Sequence, residues 1–379
     1  MKQRESITRT ITEEFYWFHR HPELSFEEFE TTKRLRKALG AAGIRILDVP
    51  LNTGLIAEVG TGKAPFIGLR ADIDALPVTE QTGLPYASES PGKMHACGHD
   101  FHLTSVLGAA LYLKAHEEEL PGTVRIVFQP GEEAPGGAVD VLHTGALKDV
   151  QALFGLHTSP LFPVGTVGVS EGAVTASVDK FVIRFRGKGT HAAHPERGID
   201  PIVMASSFVV AAQSIISRNI DPGHRDLVSI TRFTSGNTWN VIPETAEIEG
   251  TVRCLDNADR ARIEKRMRDL ADGQAKSFGG SAEIDWVAGP PATDNTPAWT
   301  EFARKTAEEQ GISVEPAPTS LAGEDFAYYQ TTIPGCFVLV GTGRSAANHN
   351  PEFQVNPAAL GASAAYIAQL AMGAFAELS

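Results

Sequence analysis

The sequence predicts an α/β protein in two parts. A larger discontinuous domain with a largely parallel sheet spans residues 1–176 and 290–379, and a smaller β-α-β-β-α-β domain is inserted at 177–289. Three observations predict this. Apolar, β-rich runs alternate with helical stretches through the first part, the pattern of a parallel sheet covered by helices. Between 177 and 287 the order becomes strand, helix, strand, strand, helix, strand, the split unit of a ferredoxin-like domain. After Gly289-Pro290-Pro291 the first pattern resumes. A chain of 379 residues also exceeds what one small core organises.

Element by element, Ile7, Ile11, Phe15 and Phe18 fall at helical spacing, and His21-Pro22 breaks the run. Ser25-Phe26-Glu27-Glu28 matches a capping box and predicts a second helix closing at Gly40 or Gly43. GLIAEVG and FIGLRADID read as strands, HLTSVLGAALYLKAH as a helix, TVRIVFQP as a strand, AVDVLHTGAL as a helix and QALFGLHT as a strand. In the insertion, Asp200-Pro201 supplies an N-cap and first-turn proline, and Gly279-Gly280 stops the second helix. A helix near 298–310, the strand GCFVLVGTG and a small-residue helix from about 357 complete the larger domain.

The net charge of -13 repels a phosphate backbone, and no basic patch offsets it, so nucleic acid is excluded as a partner. Cys97, Cys254 and Cys336 are too few and too scattered for a disulfide framework and fit a reducing cytosol. The polar N-terminus lacks the apolar core of a signal peptide, and no uninterrupted apolar run reaches membrane length. The expectation is a soluble cytoplasmic protein with no membrane partner.

Four polar clusters follow predicted strands: Arg70 to Asp74, Gln129 to Glu133, His157, and Asn348 to Pro351. In open α/β sheets ligands bind at the carboxyl ends of strands, so these clusters are expected to converge. A fifth, MHACGHDFH at 94–102, offers a thiol, several imidazoles and a carboxylate where a loop enters a helix. Thiolate and imidazole suit borderline-soft divalent metals, and a paired site makes water acidic enough to ionise near neutral pH. Of the adjacent Glu132 and Glu133, one can ligate while the other acts as general acid and base; spacing alone leaves open which. Each residue also has an ordinary reading, as a core thiol, an acidic turn or a satisfied histidine. The thiol rival makes Cys97 a nucleophile that needs no metal.

The chain resembles the co-catalytic metallopeptidase and aminoacylase family, in its amidohydrolase branch of hippurate hydrolases, aminoacylases and N-acetyl amino acid deacetylases. The resemblance runs nearly end to end, through the entry segment at 20–24, GLRADIDALP at 68–77, MHACGHD at 94–100, QPGEE at 129–133, HAAHP from His191, WNVIP at 239–243, GTVR at 250–253 and GEDF at 323–326. It implies a di-metal aminopeptidase-like catalytic domain with a ferredoxin-like lid or dimerisation domain. It implies two divalent ions (zinc, manganese, nickel or cobalt) on Cys97, His99, Glu133, His157 and His349, with Glu132 as the base. It further implies a homodimer in which His191 reaches the other subunit's site, Asn240 and Arg253 on the substrate carboxylate, and Asp72, Asp100 and His102 as supports to the ligands. The implied reaction is hydrolysis of N-acetyl or N-benzoyl L-amino acids, with N-acetylcysteine derivatives a narrower option. The alternatives are a dipeptidase or carboxypeptidase of the same family, or a non-catalytic metal- or ligand-binding protein. Two departures from the family pattern are Gly131, where many relatives carry alanine and where extra loop freedom is expected, and Thr190, which stands for a glycine before His191.

Overall fold

In the computed structural model, which describes residues 2–378, Ile7, Ile11, Phe15 and Phe18 are all buried along one side of α1 (Lys2–Arg20). α2 (Phe29–Ala41) begins later than the capping-box pattern predicts. Phe26 takes a left-handed φ of 64°, which no helix tolerates, so Ser25 cannot cap. Its hydroxyl donates instead to Asp74 Oδ2 at 2.7 Å. The Glu23 carboxylate does the capping, accepting from the N–H groups of Glu30 at 3.2 Å and Thr31 at 2.8 Å.

The chain continues through β1 (Arg45–Ile46), β2 (Leu55–Gly60), β3 (Phe66–Asp72), α3 (His99–Ala115), β4 (Thr123–Gln129), α4 (Gly137–His143), β5 (Val150–Ser159) and β6 (Thr166–Gly168). With α7 (Pro297–Glu309), β15 (Ser313–Glu315), α8 (Phe326–Gln330), β16 (Gly335–Gly341) and α9 (Leu360–Glu377), these make the first of two units. Its sheet has eight strands in the order β1-β2-β4-β3-β5-β16-β6-β15. The middle four strands are mutually parallel, whereas β1, β2 and β6 each pair antiparallel with a neighbour. The sheet is therefore mixed, where a largely parallel one was expected. Residues 61–65, which join β2 to β3, are too few for a parallel crossover, so β2 must run the other way. α3 is buried on nearly all sides, packed on α1, α9 and β3, and this places its first turn, His99 to His102, inside the protein.

β7 (Gly172–Thr175) and β14 (Thr293–Asn295) carry the chain out and back. The second unit holds residues 173–293 and takes in 319–324 as well. It contains β8 (Ser177–Arg186), β9 (Thr190–His191), α5 (Pro201–Asn219), β10 (Leu227–Ser235), β11 (Val241–Ile242), β12 (Thr245–Cys254), α6 (Asn257–Ser277) and β13 (Ser281–Ala288). Its four-stranded sheet runs β10-β12-β8-β13 with every pair antiparallel, the ferredoxin-like arrangement. Alternate residues of β8 (Phe181, Ile183 and Phe185) join Met204 and Phe208 of α5 and Ile263 and Met267 of α6 in a separate core. Asp200 caps α5, accepting from Ile202 N at 2.8 Å.

Two helices, α5 and the segment ending in α9, are long and apolar enough by composition to cross a membrane. α9 buries most of that surface in the core of the first unit. α5 buries one side and leaves Ile202, Val203 and Val210 exposed, the last at 76%.

Candidate active site

β3 ends at Asp72, and Asp74 follows two residues on. Both carboxylates are fully buried, and each collects donors. Asp74 Oδ1 lies 3.2 Å from His99 Nδ1 and accepts from Glu132 N at 3.1 Å; its Oδ2 accepts from Glu133 N at 3.0 Å and from Ser25. One side chain thus orients an imidazole and the backbone of the two-glutamate turn. Burial alone would raise the Asp74 carboxyl, but these bonds hold it below the usual carboxylate range.

The turn itself depends on Gly131, whose φ is 62°. A Cβ there would meet the Phe26 ring at 2.5 Å, so the glycine serves a close approach rather than the extra loop freedom expected of it. Gly98, at φ 87°, does similar work between Cys97 and His99, since a Cβ there would meet the Thr158 side chain at 2.7 Å.

Cys97, His99, Glu133, His157 and His349 are brought together. Cys97 Sγ lies 3.4 Å from His157 Nε2 and 3.3 Å from His349 Nε2. His349 Nε2 is 3.1 Å from Glu133 Oε1, and His99 Nε2 is 3.9 Å from the same oxygen. Two donor sets, Cys97-His99-His157 and Cys97-Glu133-His349, each fit within 4.8 Å and share the thiol. His157 lies within β5 rather than after it, and its Nδ1 bonds the Thr158 carbonyl at 2.8 Å, which turns Nε2 to the thiol. His349 adopts a left-handed φ of 67°, a strained backbone at the cluster's exposed rim, and its N–H donates to Ala96 O at 2.8 Å.

These residues fit a metal centre. His99 Nε2 is buried without a hydrogen-bond partner, and Glu133 Oε1 lacks a well-directed one, although a buried polar atom left unpaired is costly. Burial opposes charge on His99, yet Asp72 and Asp74 overcome it and raise its pKa well above the ordinary value. Such a site draws a cation. Burial pushes the Cys97 thiol up, which disfavours a free thiolate.

Of the expected supports, His102 accepts at Nε2 from Thr158 N at 2.8 Å, so its Nδ1 carries the hydrogen and donates to Asp72 Oδ1 at 2.7 Å. Burial, reinforced by neighbouring histidines, drives its pKa down to about 3 and keeps it neutral. Asp72 Oδ2 lies 3.8 Å from His99 Nε2. Among the described residues Asp100 makes no hydrogen bond to a member of the cluster; it binds His19 Nδ1 at 2.6 Å, because its place in the first turn of α3 faces α1. Asp74 is the support that sequence reasoning missed. Its only signal was a second carboxylate at the i+2 position beyond a strand, a common and unspecific pattern.

Glu132 receives the backbone N–H of Asp325 on Oε1 at 3.4 Å. In the second unit, His191 pairs with Val241 across a two-residue bridge, and Ala192 N donates to Asn240 O at 3.0 Å. His191 Nδ1 accepts from Ala193 N at 3.0 Å, leaving Nε2–H as the outward donor of an exposed ring. Arg253 sits on β12, with Nη1 bonded to Thr251 Oγ1 and to Val252 O. Among the described residues no hydrogen bond joins it to His191 or Asn240.

The model of peptidase family M20/M25/M40 matches residues 68–373. The chain is 48% identical to N-acetylcysteine deacetylase of Bacillus subtilis, over 93% of this chain and 94% of that protein. It is 40% identical to IAA-amino acid hydrolase ILR1-like 4 of Arabidopsis thaliana, over 95% and 84% respectively. The solved structure of the Bacillus subtilis YxeP protein, a dinuclear metal binding peptidase of the M20 family, superposes with a TM-score of 0.89 at 43% identity, covering 98% of this chain and 99% of that one. The chain belongs to peptidase family M20/M25/M40, within its amidohydrolase branch, and is a metal-dependent hydrolase.

Proposed function

We propose that the protein hydrolyses the amide bond of N-acyl L-amino acids, N-acetyl or N-benzoyl, releasing a carboxylic acid and a free amino acid. The observation that carries this reading is the buried, unpartnered Nε2 of His99 facing Glu133 inside a group of five thiol, imidazole and carboxylate donors. Cys97, His99, Glu133, His157 and His349 would hold two divalent ions, whose chemistry is to polarise the acyl carbonyl and to lower the pKa of a water. Zinc, manganese, nickel and cobalt all suit this mixed donor set. The Glu132 carboxylate, held by Asp325 N–H and by the Asp74-anchored turn, takes the proton from the attacking water and passes it to the leaving amine.

His191 Nε2–H, contributed by a partner subunit, donates to the acyl oxygen as negative charge builds there, and Asn240 and Arg253 hold the substrate carboxylate. Its exposure and the apolar surface of α5 support an assembly of two copies. The similarity to an N-acetylcysteine deacetylase supports N-acetylated cysteine derivatives as the narrower substrate class.

The test is turnover of a panel of N-acetyl and N-benzoyl amino acids and dipeptides by metal-stripped protein, with each ion added back, beside Glu132→Gln. Activity restored by metal and abolished by the substitution is expected. Metal-independent turnover would point to Cys97 as nucleophile, and preference for dipeptides to the peptidase alternative.

A further inference from the structure

Arg70 is fully buried, and its guanidinium is engaged at all three nitrogens: Nε donates to Gln129 Oε1 at 2.9 Å, Nη1 to Asp72 Oδ2 at 2.7 Å and Nη2 to Asp325 Oδ1 at 2.6 Å. Gln129 Nε2 reaches both Asp325 oxygens, at 2.9 and 2.8 Å, and Tyr329 donates its hydroxyl to Gln129 Oε1 at 2.9 Å. Asp325 Oδ2 also accepts from Ala138 N at 2.9 Å, in the first turn of α4. Asp325 therefore grips the residue before the two-glutamate turn and the helix after it, while its own N–H rests on Glu132 in the middle. On its other side, Arg70 reaches through Asp72 to His102 and towards His99.

A buried ion-pair network is weak evidence for stability, because well-packed apolar residues often serve as well or better. Its shape here suggests another use. We infer that Arg70 and Asp325 are positioning residues that lock the Glu132 carboxylate relative to His99, so that the base is in place before substrate arrives. The inference rests on Glu132 being the general base. Misplacing a reacting group by about 1 Å costs on the order of 10²-fold in rate, so a small shift of the Asp325 backbone is enough to matter.

Both Asp325 oxygens face two donors each, so the amide nitrogen of Asp325→Asn must meet a donor in either orientation. The experiment compares Asp325→Asn, Arg70→Lys and Tyr329→Phe with wild type and Glu132→Gln. For each, kcat and KM are measured per metal-loaded site, and metal affinity is measured by chelator competition. Asp325→Asn and Arg70→Lys are expected to lower kcat by roughly 10- to 100-fold with KM within about twofold, and Asp325→Asn is expected to leave metal affinity unchanged. Tyr329→Phe, which removes only a hydroxyl, is expected to fold and to lower kcat by about two- to fivefold, carrying the same test if the other variants do not fold. An unchanged kcat per loaded site in the folded variants overturns the inference, as does a loss that tracks metal affinity or KM alone. Wild-type turnover by Glu132→Gln would overturn the base assignment itself, whereas an inactive Glu132→Gln beside a normal Asp325→Asn would sink only the positioning role.

Discussion

The donor cluster of the first unit and the His191 hairpin of the second are held in opposite ways. His99 is buried, clamped at Nδ1 by Asp74, and set in the buried first turn of α3. His191 is exposed and is held by local contacts of its hairpin: the two-residue pairing of β9 with β11, a bond from Ala193 N to its Nδ1 and a bond from His194 N to its carbonyl. The first arrangement can fix atoms to within fractions of an ångström before any ligand arrives, because each polar group has one available geometry. The second leaves the ring free to adapt to whatever approaches it. Burial, rather than fold position alone, sets the rigidity of a histidine side chain.

The sharpest break of this contrast is His191→Ala. If the exposed ring acts on the acyl oxygen, kcat falls by roughly 10²- to 10³-fold, while Tm moves by less than about 2 °C because the ring is exposed and lies outside the core. Mixing that variant with Glu132→Gln sharpens the result. Mixed dimers then hold one intact site each, so about a quarter of wild-type activity returns if His191 works across the interface. No recovery on mixing means it works within its own subunit.

Asp74→Ala tests the buried half. It removes the acceptor of two backbone N–H groups, an imidazole and a hydroxyl, and metal affinity measured by titration is expected to fall about 10- to 100-fold. Metal affinity unaltered in a folded Asp74→Ala variant would mean that the cluster does not need its clamp.

A third comparison uses pH. Burial opposes charge on His19, but its bonds to Asp100 and Glu80 outweigh that and raise its pKa to about 9. Because the folded-state value lies above the unfolded one, the pair's contribution is complete below about pH 6.5 and is lost as pH rises towards 9. The integrated effect is on the order of 3 kcal/mol. Denaturant unfolding of His19→Gln is expected to show a stability that no longer falls across that window; an unchanged pH slope would remove His19 as its source. The smallest effect is expected for Val210→Ser on the exposed side of α5. It should leave Tm within about 2 °C while weakening self-association measured by sedimentation, and an unaltered association constant would exclude that side of α5 from the interface.

Periodicity and short-range motifs made much of this molecule readable in advance. Ile7, Ile11, Phe15 and Phe18 mark a buried helix side because the α-helical repeat is local, and Asp200-Pro201 marks a helix start because capping reaches only three residues. Cys97 and His99 announce themselves through two-residue spacing across Gly98. Ser25 matches a cap pattern in sequence but does not cap, because Phe26, left-handed at φ 64°, takes the chain off the helical path, and the Ser25 hydroxyl turns to Asp74, 49 residues away.

Local chemistry thus determined the element order, the character of the inserted domain, and the thiol, imidazole and carboxylate types available to a metal. Long-range folding assigned the partners. Arg70 and Asp325 are 255 residues apart and meet at 2.6 Å, Asp74 reaches His99 and the two-glutamate turn, and Asp100 turns away to His19. A buried polar group must find its partner among whatever the packed core brings within hydrogen-bond reach, and that neighbourhood exists only once the chain has folded.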